Sequence, residues 1–133
     1  MKQIFDNLSQ EMSRVTTQRY STSFSMGIRF LNKDLHKPIY SIYGFVRFAD
    51  EIVDTFHGFD KEKLLADFKN QTYTAIEDKI SLNPILNSFQ WVVNKYEIPL
   101  ELIETFLNSM EMDLDKNFYD KSGYEKYILG SAE

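Results

Sequence analysis

The residues best suited to chemistry lie in one short segment of the sequence, between Tyr43 and Asp54. At about 100° per helical residue, one stripe of this segment carries four polar side chains, Tyr43, Arg47, Asp50 and Asp54. Two carboxylates one helical turn apart form a two-point oxygen ligand for a hard divalent cation. Mg²⁺ suits such a site because it retains waters that substrate phosphates can replace, and Mn²⁺ is a second candidate. The stripe is therefore a candidate site for a hard divalent metal.

The remaining positions of this helix are mostly apolar, namely Ile42, Phe45, Val46, Phe48, Ala49, Ile52, Val53 and Phe56. Such a helix is typical of one that other helices surround, so the polar stripe is expected to face an interior cavity. Buried carboxylates need cations, and Arg47, three residues before Asp50, is a candidate partner. One alternative stays open, because D-x-x-x-D alone is a weak pattern. Asp50, Glu51 and Asp54 would then form a solvated acidic face, with Arg47 in an intrahelical ion pair.

The elements that must position this stripe are all helices, since apolar residues recur at helical spacing almost throughout. Caps and breaks divide the chain into predicted helices at about 4–19, 22–31, 39–56, 60–80, 83–96 and 99–114, with a last one from Ser122. The first helix carries an apolar stripe typical of a core-facing surface, formed by Ile4, Phe5, Leu8, Met12 and Val15. We expect plain core packing for the aromatic residues Phe30, Phe89, Trp91 and Phe106.

Composition narrows the classes of function. The chain of 133 residues is long enough for one domain, and 43% apolar residues argue against intrinsic disorder. The net charge is −5 and basic residues are scattered along the sequence, so nucleic acid is not expected as a partner. The absence of cysteine excludes disulfides and thiolate metal sites and fits a cytoplasmic location. Peripheral contact with the inner face of a membrane is left open.

Four segments resemble, in order and spacing, the N-terminal part of squalene/phytoene synthases, and bacterial phytoene synthases most closely. They are 20–25 (YSTSFS), 42–55 (IYGFVRFADEIVDT), 110–114 (MEMDL) and 127–133 (YILGSAE). The resemblance implies an all-α isoprenoid-synthase (terpenoid synthase) fold in which residues 1–133 form the N-terminal part of one domain. Its second aspartate-rich motif would follow Glu133. The fold is therefore expected to be incomplete at the C-terminus.

The resemblance also implies roles for the polar stripe. Asp50 and Asp54 match the first aspartate-rich motif, whose carboxylates hold magnesium ions bound to a substrate diphosphate. Tyr43 and Arg47 match positions that line the same diphosphate end. Catalytic roles are therefore expected for all four residues of the stripe.

Two further segments complete the expected substrate site. Ser21, Ser23 and Phe24 match the family pattern near the entrance, where hydroxyl groups donate to phosphate oxygens. Asp113 matches an aspartate that faces the cavity. An ordinary surface carboxylate is the alternative for Asp113, because it flanks the apolar stripe of its helix.

The expected activity is a magnesium-dependent, head-to-head condensation of two prenyl diphosphates, with geranylgeranyl diphosphate giving phytoene in carotenoid biosynthesis. No segment resembles an NADPH site, which favours phytoene or dehydrosqualene over squalene. The alternative is a non-catalytic relative that serves as an assembly or interaction module. By itself the chain is expected to be inactive, and it is expected to associate with a second copy because its apolar third helix would be incompletely covered.

Overall fold

The computed structural model describes the backbone of residues 1–119 and the side chains of residues 1–115. This part of the chain contains six α-helices and no strand, with a short 3-10 turn at Lys33–Leu35. The helices are α1 (Lys2–Tyr20), α2 (Thr22–Arg29), α3 (His36–Asp54), α4 (Lys61–Asp78), α5 (Pro84–Tyr96) and α6 (Leu100–Tyr119). The all-α prediction is confirmed. The helix predicted from Ser122, and the segment 127–133, lie outside the described residues.

Short polar caps fix most of the helix boundaries. The Asp60 carboxylate accepts a hydrogen bond from the Lys63 backbone N–H at 3.1 Å, and the Asn83 side chain accepts one from the Ile85 N–H at 3.0 Å. The third helix begins at His36, three residues earlier than predicted. The difference arises because the 3-10 turn leads directly into the helix, where Pro38 is tolerated in the first turn.

The first helix buries the face that its sequence pattern did not predict. Its apolar residues Ile4, Leu8 and Met12 are 67%, 47% and 41% exposed, so the prediction of a core-facing apolar stripe is wrong for them. The buried face consists of small hydroxyl residues, Ser9, Ser13, Thr16 and Thr17. Hydroxyls on this face donate to backbone carbonyls one turn earlier, so they are buried without losing hydrogen bonds.

The small side chains let α1 approach α3 closely. A Cβ atom at Gly44 of α3 would lie 3.2 Å from the Ser13 Oγ, so a larger residue there would require Ser13 to shift by a few tenths of an ångström. Ser13 also shares a short hydrogen bond with Ser88 of α5. At the same interface between α1 and α5, the Asn87 side-chain amide donates to the Asp6 carboxylate at 2.9 Å and to the Ser9 hydroxyl at 3.1 Å. We call these five residues of α1 and α5, Asp6, Ser9, Ser13, Asn87 and Ser88, the polar seam.

The apolar core lies on the other side of α3. The Phe45 ring stacks on Phe89 of α5 with 3.8 Å between ring centroids, and it also contacts Phe68 and Phe106. The expected core role is thus confirmed for Phe89 and Phe106. It is wrong for Phe30, which is 87% exposed because it ends α2 at the outer surface. None of the helices described is both long and apolar enough to cross a bilayer.

Candidate functional site

The polar stripe lies on the last three turns of α3, and it consists of Tyr43, Arg47, Asp50 and Asp54. The first three side chains are half-buried, whereas Asp54, the last residue of the helix, is exposed. On the rest of the helix the expected burial is observed for Phe45, Ala49, Ile52 and Val53. The stripe therefore begins with half-buried side chains in the middle of α3 and ends at the exposed side chain of Asp54.

The Asp50 carboxyl is in an unfavourable environment for its charge. Burial is the main cause that raises its pKa above the ordinary value, and the neighbouring charge of Asp54 adds to the effect. Arg47 opposes the increase, while Asp113 on α6 contributes to it. Half-buried Asp113 is therefore close enough to Asp50 for their charges to interact. The arrangement concentrates negative charge between the ends of α3 and α6.

The ion pair of Arg47 differs from the one anticipated. Its Nε donates to the Glu51 carboxylate at 3.1 Å, and its Nη2 makes a second short contact with the same oxygen. Glu51 is only 8% exposed. Four residues along a helix bring the two side chains together on one face, so Glu51 and not Asp50 is the direct partner. The alternative of an intrahelical ion pair is borne out for Arg47, while half-buried Asp50 does not belong to a fully solvated face.

A tyrosine missed by the sequence argument covers Arg47. The Tyr20 ring, at the end of α1, lies 4.6 Å from the Arg47 guanidinium carbon, within the range of a cation–π contact. The guanidinium is thus held between Tyr20 and Glu51. The sequence contained an indication of each contact. Glu51 is four residues after Arg47, which is the spacing of a helical ion pair, and Tyr20 directly precedes the serine segment that begins at Ser21.

The start of α2 lies beside the stripe and brings a third element to the site. The Ser21 hydroxyl accepts a hydrogen bond from the Phe24 backbone N–H at 3.2 Å and so caps α2. The Phe24 ring lies 5.1 Å from the Tyr43 ring, centroid to centroid. Ser23 is exposed on the same first turn. Residues far apart in sequence, in segments 20–25 and 43–54, therefore meet at one place.

A lysine beyond the end of α3 was also missed. The Lys61 ammonium donates to the Val53 carbonyl at 2.7 Å and to His57 Nδ1 at 2.9 Å. Burial lowers the pKa of Lys61, and the charge of nearby Asp54 opposes this. Lys61 therefore ties the first turn of α4 to the end of α3, next to Asp54.

The two aspartates fit a particular type of magnesium site. Among the residues described, no group of three or more His, Asp or Glu side chains is placed to hold a metal without other ligands. Mg²⁺ commonly binds one or two carboxylates and completes its shell with water and substrate phosphates. Asp50 and Asp54 supply that number of carboxylates on one face. They fit a metal shared with a phosphate ligand, not a closed protein cage.

An apolar groove of about 400 Å³ adjoins the ion pair, between α3 and α4. Its polar margin includes Glu51, Asp67 and Gln71, and its apolar wall is formed by Tyr20, Phe48, Ile52, Phe56, Leu64 and Phe68. Two partners of Arg47, Tyr20 and Glu51, are therefore also part of the groove. Charged and apolar binding surfaces meet at this point.

Comparison with known families supports the resemblance seen in the sequence. The family model described as squalene/phytoene synthase matches residues 17–133. Comparisons with curated proteins and with solved structures give no match. The matched residues contain the start of α2, the α3 stripe and Asp113, and family membership implies a function of the head-to-head prenyltransferase type. The chain belongs to the squalene/phytoene synthase family.

Proposed function

We propose that the polar stripe of α3 and the start of α2 bind the diphosphate group of a prenyl diphosphate together with Mg²⁺. One observation carries the proposal. Asp50 is partly buried beside Asp54, while the neighbouring cation, Arg47, is paired with Glu51. Like charges held together in this way are unfavourable unless a cation is added. A divalent ion bridging to a diphosphate supplies that charge.

The surrounding side chains have the chemistry to hold the rest of the diphosphate. Arg47 offers guanidinium N–H donors, and the hydroxyls of Tyr43, Ser21 and Ser23 are further donors for phosphate oxygens. The rings of Phe24 and Tyr43 lie against each other beside these donors and place the start of α2 next to the polar stripe. When bound, Mg²⁺ neutralises the charge that develops on a departing diphosphate. Asp113 lies near enough to influence the same charge balance.

For the substrate and product, we propose two molecules of geranylgeranyl diphosphate and phytoene, in a cytoplasmic enzyme of carotenoid biosynthesis. This step rests on the resemblance to bacterial phytoene synthases. Product analysis distinguishes phytoene from squalene and dehydrosqualene. It does so independently of whether the diphosphate site is correctly placed.

Calorimetric titration with a non-hydrolysable geranylgeranyl thiolodiphosphate tests the diphosphate site. We expect binding in the presence of Mg²⁺, and little or none when EDTA replaces it. Geranylgeraniol, which has the same prenyl chain without a diphosphate, is the matched control and should bind equally with or without Mg²⁺. Equal binding of the thiolodiphosphate in Mg²⁺ and in EDTA would contradict the proposal.

The alternative function is a non-catalytic assembly module. The Arg47–Glu51 ion pair favours it, because an arginine already satisfied within its helix is less available to a diphosphate. A module predicts no magnesium-dependent binding in the titration above. The two functions therefore give opposite results in one experiment.

Self-association, which was expected from the apolar third helix, stays a prediction. We propose that the exposed residues Ile4, Leu8 and Met12 of α1 form the contact surface. Sedimentation velocity at several concentrations measures it. The variant Leu8→Lys should shift the chain towards the monomer. A chain that is monomeric at every concentration would show the prediction to be wrong.

A further inference from the structure

The last turn of α3 carries a carboxylate in an unfavourable position. Asp54 is the final residue of the helix, where the partial negative charge of the helix dipole opposes a carboxylate. The last turn itself contains no basic residue that would offset this charge. The end of a helix also opens readily, because its last carbonyls lack partners within the helix. A fixed position of Asp54 beside Asp50 therefore requires support from outside α3.

Lys61, in the first turn of α4, supplies this support through the backbone. Its ammonium group donates to the Val53 carbonyl at 2.7 Å. This carbonyl belongs to the same planar peptide unit as the N–H of Asp54, so the hydrogen bond restrains the backbone at Asp54. The ion pairs found among the described residues do not include one between Lys61 and Asp54. Lys61 therefore holds the backbone of Asp54 without engaging its carboxylate.

The surrounding loop holds Lys61 at the end of α3. His57 Nδ1 lies 2.9 Å from the Lys61 ammonium and is its second contact. The Asp60 carboxylate accepts a hydrogen bond from the Lys63 N–H and so fixes the first turn of α4. Between them, Gly58 has a φ of +89°, a conformation that favours glycine and reverses the chain. The loop therefore returns the start of α4 to the last turn of α3.

We infer that Lys61 is a positioning residue for the metal, which keeps the last turn of α3 in place so that Asp54 and Asp50 bind Mg²⁺ together. The inference rests on the proposed function, because it concerns the same two carboxylates. Mg²⁺ tolerates little departure from octahedral geometry, so a small displacement of one ligand oxygen lowers its affinity. Residues that orient metal ligands from behind commonly change metal affinity by about 10–100-fold when they are replaced.

Positioning explains the contacts of Lys61 better than direct binding of a phosphate does. An ammonium group has three N–H donors, and two of them are engaged by Val53 and His57. A direct phosphate contact would have to give up these bonds or use the one donor that is left. The two roles differ in a measurable way, because a positioning residue acts only through Asp54.

Calorimetric titration with geranylgeranyl thiolodiphosphate in Mg²⁺ measures the effect on binding. Lys61→Met, which removes the ammonium but keeps a long unbranched side chain, should weaken affinity by about tenfold. Lys61→Arg keeps a cation with several N–H donors and should retain most of the affinity. Lys63→Met is the matched control, because Lys63 lies in the same turn of α4 but forms an exposed ion pair with Asp67. It should bind like the wild type.

A double-variant cycle separates positioning from a direct contact. If Lys61 acts through Asp54, adding Lys61→Met to Asp54→Asn should weaken affinity by less than about twofold, because the ligand that Lys61 positions is already lost. Ligand concentrations must be high enough to saturate the weaker variants. A further tenfold loss in the double variant would overturn the inference, since it would show that Lys61 acts independently of Asp54.

Amide hydrogen exchange in EDTA tests the restraint itself, without any metal or ligand. The Thr55 and Phe56 N–H groups donate to the Glu51 carbonyl at 3.0 and 3.2 Å and report on the end of α3. Lys61→Met should accelerate their exchange by about tenfold, while the amides of α5 exchange as in the wild type. Unchanged exchange at the end of α3 would overturn the inference.

Failure of the inference is distinguishable from failure of the proposed function. If the wild type binds the thiolodiphosphate in a magnesium-dependent manner and Lys61→Met binds it equally well or better, the inference alone is wrong. If the wild type shows no magnesium-dependent binding, the proposed function is wrong and the inference is overturned with it.

Discussion

Two aspartates of this protein illustrate opposite uses of a polar group in a helical fold. Asp6, in the polar seam, accepts hydrogen bonds from Lys2 at 2.7 Å and from Asn87 at 2.9 Å, and these bonds lower its pKa. Asp50, in the polar stripe of α3, is half-buried beside the like charge of Asp54, and its pKa is raised. The folded structure stabilises the ionised form of Asp6 and destabilises the ionised form of Asp50.

The contrast separates polar residues that stabilise the fold from those that we propose bind a ligand. In the polar seam, donors and acceptors are matched within the chain, so the seam specifies how α1 packs on α5. In the polar stripe, Arg47 pairs with Glu51 and Lys61 lies beside Asp54, yet burial and the charge of Asp54 still raise the pKa of Asp50. A fold maintains such an imbalance at a cost in stability, which is common at ligand sites. The predictions below test this difference, beginning with the largest expected effect.

Removing a carboxylate of the stripe should abolish most ligand binding. In the Mg²⁺-containing titration with geranylgeranyl thiolodiphosphate, Asp50→Asn and Asp54→Asn should each weaken affinity by about 100-fold, since each removes a charged oxygen ligand. In any form of the protein that condenses prenyl diphosphates, turnover should fall by about 10²–10³-fold while folding is retained. Asp78→Asn, at the exposed end of α4, is the control and should behave like the wild type. Affinity near that of the wild type in both stripe variants would contradict the proposed site.

Removing a side chain of the polar seam should affect stability instead. Asn87→Ala leaves the Asp6 and Ser9 acceptors without their donor in a buried position and should cost about 1–3 kcal/mol of unfolding free energy. Magnesium-dependent binding should not change below the unfolding transition. Asn70→Ala, at an exposed position of α4, is the matched control with little expected effect. Urea denaturation of the three proteins measures the difference, and equal midpoints would show that the seam is not stabilising.

Periodicity and capping were sufficient to predict the helices around the site. Asn83 followed by Pro84 marked the start of α5, because both the cap and the first-turn proline act locally. The buried face of α1 was not predictable in the same way. Its serines and threonines satisfy their hydroxyls within the helix, and the close contact with Gly44 depends on a residue of another element. Apolar periodicity does not register a buried surface made of small hydroxyl residues.

The site was predictable only in part, because sequence spacing defines which residues share a face of one helix but not which residues of other helices they contact. The common face of Arg47, Asp50 and Asp54 follows from spacing within one helix. Whether Arg47 pairs with Asp50 or Glu51 depends on side-chain geometry, and the contact with Tyr20 depends on how α1 ends beside α3. The interaction of Asp113 with Asp50 likewise depends on the packing of α6 against α3. Long-range contacts were the part that the sequence pattern left open.

The smallest expected effect is also the most direct test of the comparison, because it is opposite in sign for the two aspartates. Without Mg²⁺, ionised Asp50 destabilises the fold at neutral pH, since its folded-state pKa is raised above the ordinary value of 3.8. Asp50→Asn should therefore be more stable than the wild type at pH 7. The difference should decrease as the pH falls through the raised pKa and disappear below 3.8, where the wild-type carboxyl is protonated in both the folded and the unfolded state.

Asp6 should show the reverse. Its folded-state pKa is lowered, so its ionised form stabilises the fold above pH 3.8, and this contribution is lost as the pH falls through the lowered pKa. Asp6→Asn should be less stable than the wild type at pH 7, by no more than about 1 kcal/mol because the Lys2 contact is largely exposed. Thermal unfolding of both variants and the wild type across this pH range, in EDTA, measures the two differences. Changes of the same sign at pH 7 would show that the seam and the stripe do not differ in the way proposed.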